Sequence, residues 1–91
     1  MPFNVVYHPE AKKDIASLDR KLKDRLKSAV ETRLMTAPEQ YGAPLRRTLR
    51  GFWKLRVGDY RIVFKIAGDE VLILGIVHRA IVYREIERRL Q

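Results

Sequence analysis

Residues 52–65 read FWKLRVGDYRIVFK. Lys54, Arg56, Arg61 and Lys65 lie on two apolar-rich runs separated by Gly58-Asp59, and neither run contains an acid. Glycine as the first of two central residues suits a type II′ hairpin turn. The register follows from that turn: Val57 opposite Tyr60, Arg56 opposite Arg61, Leu55 opposite Ile62, Lys54 opposite Val63, Trp53 opposite Phe64, Phe52 opposite Lys65. Strand side chains alternate between faces, so Trp53, Leu55, Val57, Tyr60, Ile62 and Phe64 share the core side. Phe52, Lys54, Arg56, Arg61, Val63 and Lys65 share the other. Like charges directly across a strand pair are unfavourable, on the order of 0.2–1 kcal/mol. A phosphate held between Arg56 and Arg61 would turn that repulsion into a shared, bidentate attraction. The chemistry expected of this strip is therefore phosphodiester binding, with Phe52 placed to stack a base. The plainer alternative is solubilising charge paired with Asp69, Glu85 or Glu87. Four cations on one face, with Arg79 just beyond the next strand, make it the weaker reading.

Composition points the same way. The 91 residues carry a formal charge of +8, which favours a polyanionic partner. Residues 1–44 hold 8 basic and 6 acidic side chains against 11 and 5 in residues 45–91, so the binding surface is expected on the C-terminal half. There are no cysteines and two histidines, so no disulfide, thiolate zinc site, other metal centre or cofactor is expected. No apolar run approaches the roughly 18 residues of a membrane span. The opening MPFNVVYHPE does not resemble a secretory leader, and a cytoplasmic protein is expected.

The elements that must position the strip read as follows. FNVVYH is a strand ended by Pro9, which opens a helix. Ala11, Ile15, Leu18, Leu22, Leu26, Ala29, Val30 and Leu34 trace a stripe at the helical period. Asp19 is an N-cap dividing that stretch into a short helix and a longer one running to about Ala37, where Pro38 stops it. Lys12, Lys13, Lys23, Lys27 and Arg33, mixed with Asp14, Asp24 and Glu31, read as a solvated face. PEQYGAP is a loop, and LRRTLRG a short irregular strand or extended arm. After the hairpin, VLILGIV is apolar throughout, as expected of a central strand covered on both faces. VYREIERRL places Tyr83, Ile86 and Leu90 at helical spacing. The expected fold is α+β: an N-terminal strand, a helical hairpin, then an antiparallel β-meander with a short C-terminal helix, all in one domain, 1–91. The helical pair covers one sheet face and leaves the other free.

With these segments in place, the chain resembles the RelE/ParE superfamily of bacterial and archaeal toxins. YHPEAKKDIASLD is similar to the family's opening strand and helix, LRGFWKLRVGDYRIVFKI to its central hairpin, and VLILGIVHRAIVYREI to its closing segment. The ending HRAIVY resembles the RelE branch, which cleaves messenger RNA in the ribosomal A site; the ParE branch inhibits DNA gyrase. The resemblance implies a RelE-like toxin domain acting as a metal-independent endoribonuclease (an mRNA interferase) that inhibits translation. It also implies neutralisation by a small antitoxin protein. A ParE-like gyrase inhibitor, or an inactive member that only binds nucleic acid or antitoxin, is the alternative.

Carried over by position, Lys54 and Arg61 match basic catalytic residues of the hairpin, Arg79 the arginine after the last strand, and Tyr83 the tyrosine of the terminal helix. Phe52 stands where the family often has a second lysine. Cleavage would proceed through the RNA 2′-OH, with Lys54 as base or electrostatic aid, Arg61 holding the phosphate, Arg79 on the leaving side and Tyr83 orienting the nucleotide. Arg56 and Lys65 would add phosphate binding. His78 is a secondary candidate, equally a catalytic acid or a packed residue at the strand end. His8, at a helix start, reads as structural.

Overall fold

The computed structural model describes residues 2–91. Strand β1 (Asn4–Tyr7) leads to His8, whose Nδ1 accepts the Glu10 N–H at 3.1 Å. Pro9 then takes the first position of α1 (Pro9–Ala16), where its missing N–H has no intrahelical partner to lose. Asp19 caps α2 (Arg20–Ala29) as expected, its carboxylate accepting the Leu22 N–H at 2.8 Å. Beyond Ala29 the helix loosens into a π-helical turn, Val30–Leu34. Pro38 does not stop this helix directly but opens the single-turn α3 (Pro38–Tyr41), which occupies the expected loop.

Strand β2 (Ala43–Pro44) pairs with β3 (Trp53–Val57). Between them LRRTLRG is neither strand nor extended arm. It folds into a 3-10 turn at Arg47–Leu49, with Arg47 at φ +56. The loop closes by Leu45 N–H to the Phe52 carbonyl and Phe52 N–H to the Leu49 carbonyl. Compaction has a cause: Leu45 and Leu49 are both buried, and only a tight turn brings both over the same patch of sheet.

Strands β3, β4 (Tyr60–Ala67) and β5 (Glu70–His78) form the meander, and α4 (Val82–Arg89) follows a 3-10 turn at Arg79–Ile81. Gly58 has φ +59 and Asp59 does not share the positive sign, the signature of a type II′ turn. The register from Trp53↔Phe64 to Val57↔Tyr60 is the one the turn dictates, Arg56↔Arg61 included. In the sheet order β1-β5-β4-β3-β2, β1 runs parallel to β5, and the apolar β5 lies inside as its composition requires. No helix among the described residues is long and apolar enough to cross a membrane.

The second sheet face is not free. Leu55, Val57, Ile62, Phe64, Val71, Ile73 and Ile76 pack under α1 and α2, while Val63, Leu74 and Val77 form a second core with Leu45, Leu49, Val82 and Ile86. Along β5 the first core takes Val71 and Ile73 but then Ile76, a change of phase that strict alternation does not give. A β-bulge supplies it, since Val63 pairs with Gly75 but Phe64 with Ile73, leaving Leu74 over. The helix face of α4 also differs from expectation. Val82 and Ile86 are buried whereas Tyr83 and Leu90 are exposed, because the inward stripe runs 82, 86, 89.

Arg89 completes that stripe. Its side chain is only 6% exposed and grips Asp14 of α1 through two bonds, Nη1–Oδ2 at 2.7 Å and Nη2–Oδ1 at 2.8 Å. Arg89 Nη1 also donates to the Leu74 carbonyl, and Asp14 accepts the Ile76 N–H at 2.9 Å. Together they satisfy the β5 edge where it outruns β1, whose pairing ends at Tyr7↔Ile73. Gly75 leaves the room, since a Cβ there would lie 2.5 Å from Arg89 Nη1. Asp14 is therefore no solvated charge.

Two expectations follow. Gly58→Ala should cost roughly 1–2 kcal/mol from the left-handed backbone alone, read as a lower urea midpoint at unchanged slope. The second concerns pH. Hydrogen bonds from Arg88, then from Arg89, hold Glu85 down from 4.5 to about 2. A depressed carboxylate stabilises the fold above its unfolded value and loses that contribution as the folded form protonates. Stability should thus fall as pH drops from 4.5 toward 2, and Glu85→Gln should flatten the decline in a pH series of melting temperatures.

Candidate functional site

Lys54 lies on β3 between Ala43 of β2 and Val63 of β4. It sits half-buried on the second face of the sheet. Arg61, one strand over, pairs with Val77 of β5, so it lies close to where β5 ends. The chain leaves β5 at His78 and is strapped to the hairpin turn by the Arg79 N–H, which donates to the Asp59 carbonyl at 2.9 Å. One residue into α4, Tyr83 points back, its hydroxyl accepting the Arg46 N–H at 2.8 Å. These local constraints converge on one open hollow of about 410 Å³ lined by Lys54, Arg61, His78, Arg79 and Tyr83 over Leu45, Ala80 and Val82.

No lining residue is acidic. Among the described residues the lining makes one ion pair, Arg79 Nε to Asp59 at 3.8 Å with both side chains well exposed, a geometry that contributes little. Lys54 has neither an ion pair nor a side-chain hydrogen bond among the described residues. Arg61 is different: its Nη1 donates to the Gly58 and Tyr60 carbonyls at 3.1 and 3.0 Å, which holds the guanidinium over the hairpin tip.

His78 lies in register with Ile76 but is exposed, because the strand ends there. Its ring meets Tyr60 edge-on with centroids 5.9 Å apart, and its Nδ1 accepts the Ala80 N–H at 3.1 Å. That acceptance fixes the neutral tautomer with the proton on Nε2. His8-Pro9-Glu10 and His78-Arg79-Ala80 use the same cap; only His78 lines the hollow.

Three sequence candidates fall outside it. Phe52 packs against the second core, and Lys65 stands over its ring at 5.9 Å, at the far end of the strip. Arg56, although cross-strand from Arg61, lines a separate hollow with Arg25 of α2 and Arg33 of the π-helical turn, so the two guanidinium groups do not share one phosphate site. Leu45, Ala80 and Val82 were not singled out in sequence. They form the apolar floor, and nothing in their local pattern marks them.

This fold is shared with toxins solved with or without their antitoxins. The toxin–antitoxin complex RelBE2 from Mycobacterium tuberculosis contains a chain matching this one with a TM-score of 0.81 at 30% identity, over 87% of this chain and 100% of that one. The free E. coli toxin RelE, in a mutant form, shares the fold with a TM-score of 0.77 at 20% identity, covering both chains fully. A family model described as "ParE toxin of type II toxin-antitoxin system, parDE" matches residues 5–83. Toxin RelG of M. tuberculosis is 33% identical over 86 residues, spanning 92% of this chain and 99% of that protein. The chain belongs to the RelE/ParE superfamily of type II toxin–antitoxin toxins.

Proposed function

We propose that this toxin is a ribosome-dependent mRNA endonuclease that inhibits translation by cutting messages in the A site. The observation that carries this reading is the convergence of Lys54, Arg61, Arg79, Tyr83 and His78 on one acid-free hollow. Cleavage without water or metal begins when the RNA 2′-oxygen loses its proton and attacks the adjacent phosphorus. The 5′-oxygen then leaves with a proton, and a 2′,3′-cyclic phosphate remains. Lys54, free of other partners, assists the 2′-OH as base or point charge. Arg61, braced by the turn carbonyls, holds the phosphate, and Arg79 faces the developing charge on the leaving side. His78 presents Nε2–H as a hydrogen bond to the 5′-oxygen, which takes its proton from solvent as it leaves, and Tyr83 orients the nucleotide. Such a set binds phosphate better than it moves protons, so a ribosome that pre-arranges the message supplies the missing alignment. The M. tuberculosis RelBE2 and Methanococcus jannaschii RelB–RelE structures are antitoxin–toxin complexes. We infer a cognate antitoxin for this chain too, and action in the cytoplasm.

The test is 5′-end mapping of transcripts after induction, in wild type and Arg61→Ala. New ends within coding regions, present only in wild type, are expected. Growth arrest with intact messages would remove the nuclease reading. A gyrase inhibitor is the second reading, favoured by the match to the ParE toxin family model. It predicts trapped gyrase–DNA cleavage and indifference to Lys54→Ala.

A further inference from the structure

The hollow that takes Arg56 is small, about 230 Å³, and is lined by Arg25 and Ser28 of α2, by Thr32 and Arg33 of the π-helical turn that continues it, and by Arg56 and Val57 from β3. None of these residues is acidic. The acids of the same segment, Asp24 and Glu31, line an apolar groove elsewhere on it. Among the described residues Arg25, Arg33 and Arg56 form no ion pair, and all three are exposed. Arg25 lies against the hairpin turn, so that a Cβ on Gly58 would come within 3.2 Å of its Nη1. Arg33 is braced over the Tyr41 ring at 5.9 Å. Three guanidinium groups gathered without a counter-charge repel one another, and an anion with several oxygens relieves that repulsion.

Position selects the anion. Arg56 and Arg61 are directly opposite in the β3–β4 ladder, yet each lines a different hollow. The hairpin tip lies between the two basic hollows, and there Arg25 also lines a shallow hollow with Asp19, Gly58 and Asp59. We infer that the Arg25–Arg33–Arg56 hollow binds the phosphodiester backbone of the same single RNA strand where it continues past the cleavage hollow, over the hairpin tip. This rests on the proposed RNA reading of the first hollow and extends it from one nucleotide to a track, as positively charged grooves follow single strands elsewhere.

Fluorescence anisotropy with uncleavable 2′-O-methyl oligonucleotides on the full chain tests it, comparing wild type with the double variant Arg25→Ala/Arg33→Ala. A trinucleotide spans the first hollow; a nonanucleotide reaches both. The double variant should weaken the nonamer about 10-fold or more, leave the trimer within about 2-fold, and lower the log–log salt slope for the nonamer by about 1.4, the release expected of two single-strand phosphates. An unchanged melting temperature identifies the loss as local. Equal loss for both lengths, or for neither, overturns the track. So does a larger loss for an RNA hairpin duplex than for the nonamer, which would assign the hollow to structured RNA. Arg25- and Arg33-dependent binding of a glutamate-rich peptide, with the nonamer unaffected, would assign it to an acidic protein. The measurement does not depend on catalysis: intact messages in arrested cells alongside length-dependent binding would remove the nuclease chemistry alone. A wild type that binds neither oligonucleotide removes the RNA reading of both hollows.

Discussion

Alanine in place of Lys54 is expected to slow message cleavage by roughly 10²–10³-fold, the loss typical of removing one preorganised charge from a developing transition state. The protein should meanwhile melt within about 1 kcal/mol of wild type, as changes outside packing and networks usually do. Lys54 is half-buried in a sheet position flanked by Ala43 and Val63, but its ammonium holds nothing in the folded protein. Its removal therefore takes charge from the hollow and little from the fold. Arg61 provides the contrast. Its guanidinium bonds two carbonyls of the hairpin turn, so Arg61→Ala should lower both activity and stability, and Arg61→Lys should restore only part of each because one ammonium cannot reproduce the fork. Single-turnover cleavage on programmed ribosomes, read beside thermal melts, separates the two. If Lys54→Ala cleaves at the wild-type rate, the assignment of the hollow to catalysis is wrong.

The second large effect lies away from the hollow. Arg89→Ala should destabilise the protein by about 3–5 kcal/mol, because it strands a partly buried carboxylate that has lost its partner. For a chain this small each kcal/mol lowers the melting temperature by about 4–8 °C, so a drop of at least 12 °C or so is expected. Asp14→Ala should do similar damage from the other side. The double variant should be far less damaging than the sum, since the charges fail together. The chain has a reason to keep this pair. Asp14 and Arg89 are 75 positions apart, and their bonds tie α1 on one sheet face to α4 on the other around the open end of β5. Since α4 also carries Tyr83 and covers the second core, loosening Arg89 should disturb the hollow as well. Additive losses in the double variant would mean that the two side chains act separately.

Much of this molecule is readable from local rules. Gly58-Asp59 set the hairpin turn, and a period of two then determined every pairing between β3 and β4. Asp19 and Pro9 marked helix starts, and the unbroken apolar run of β5 marked an interior strand. These signals act through steric and hydrogen-bonding constraints spanning a few residues, which is why spacing alone carries them. The side of the strip on which Lys54 and Arg61 lie was legible for the same reason.

Only the tertiary structure decided what the second face is for. Alternation put Val63 and Phe52 among the cations as if exposed, yet α4 and the 45–52 loop bury part of that strip and leave a hollow at one end. It also decided that Arg56 and Arg61, nearest neighbours across the ladder, serve different hollows, and that Asp14, apparently one charge among many, anchors the terminal helix. These outcomes depend on which surfaces pack together and how long each strand runs beside its neighbour. Packing is a property of elements far apart in the chain, and the identity of a residue and its near neighbours holds no record of it.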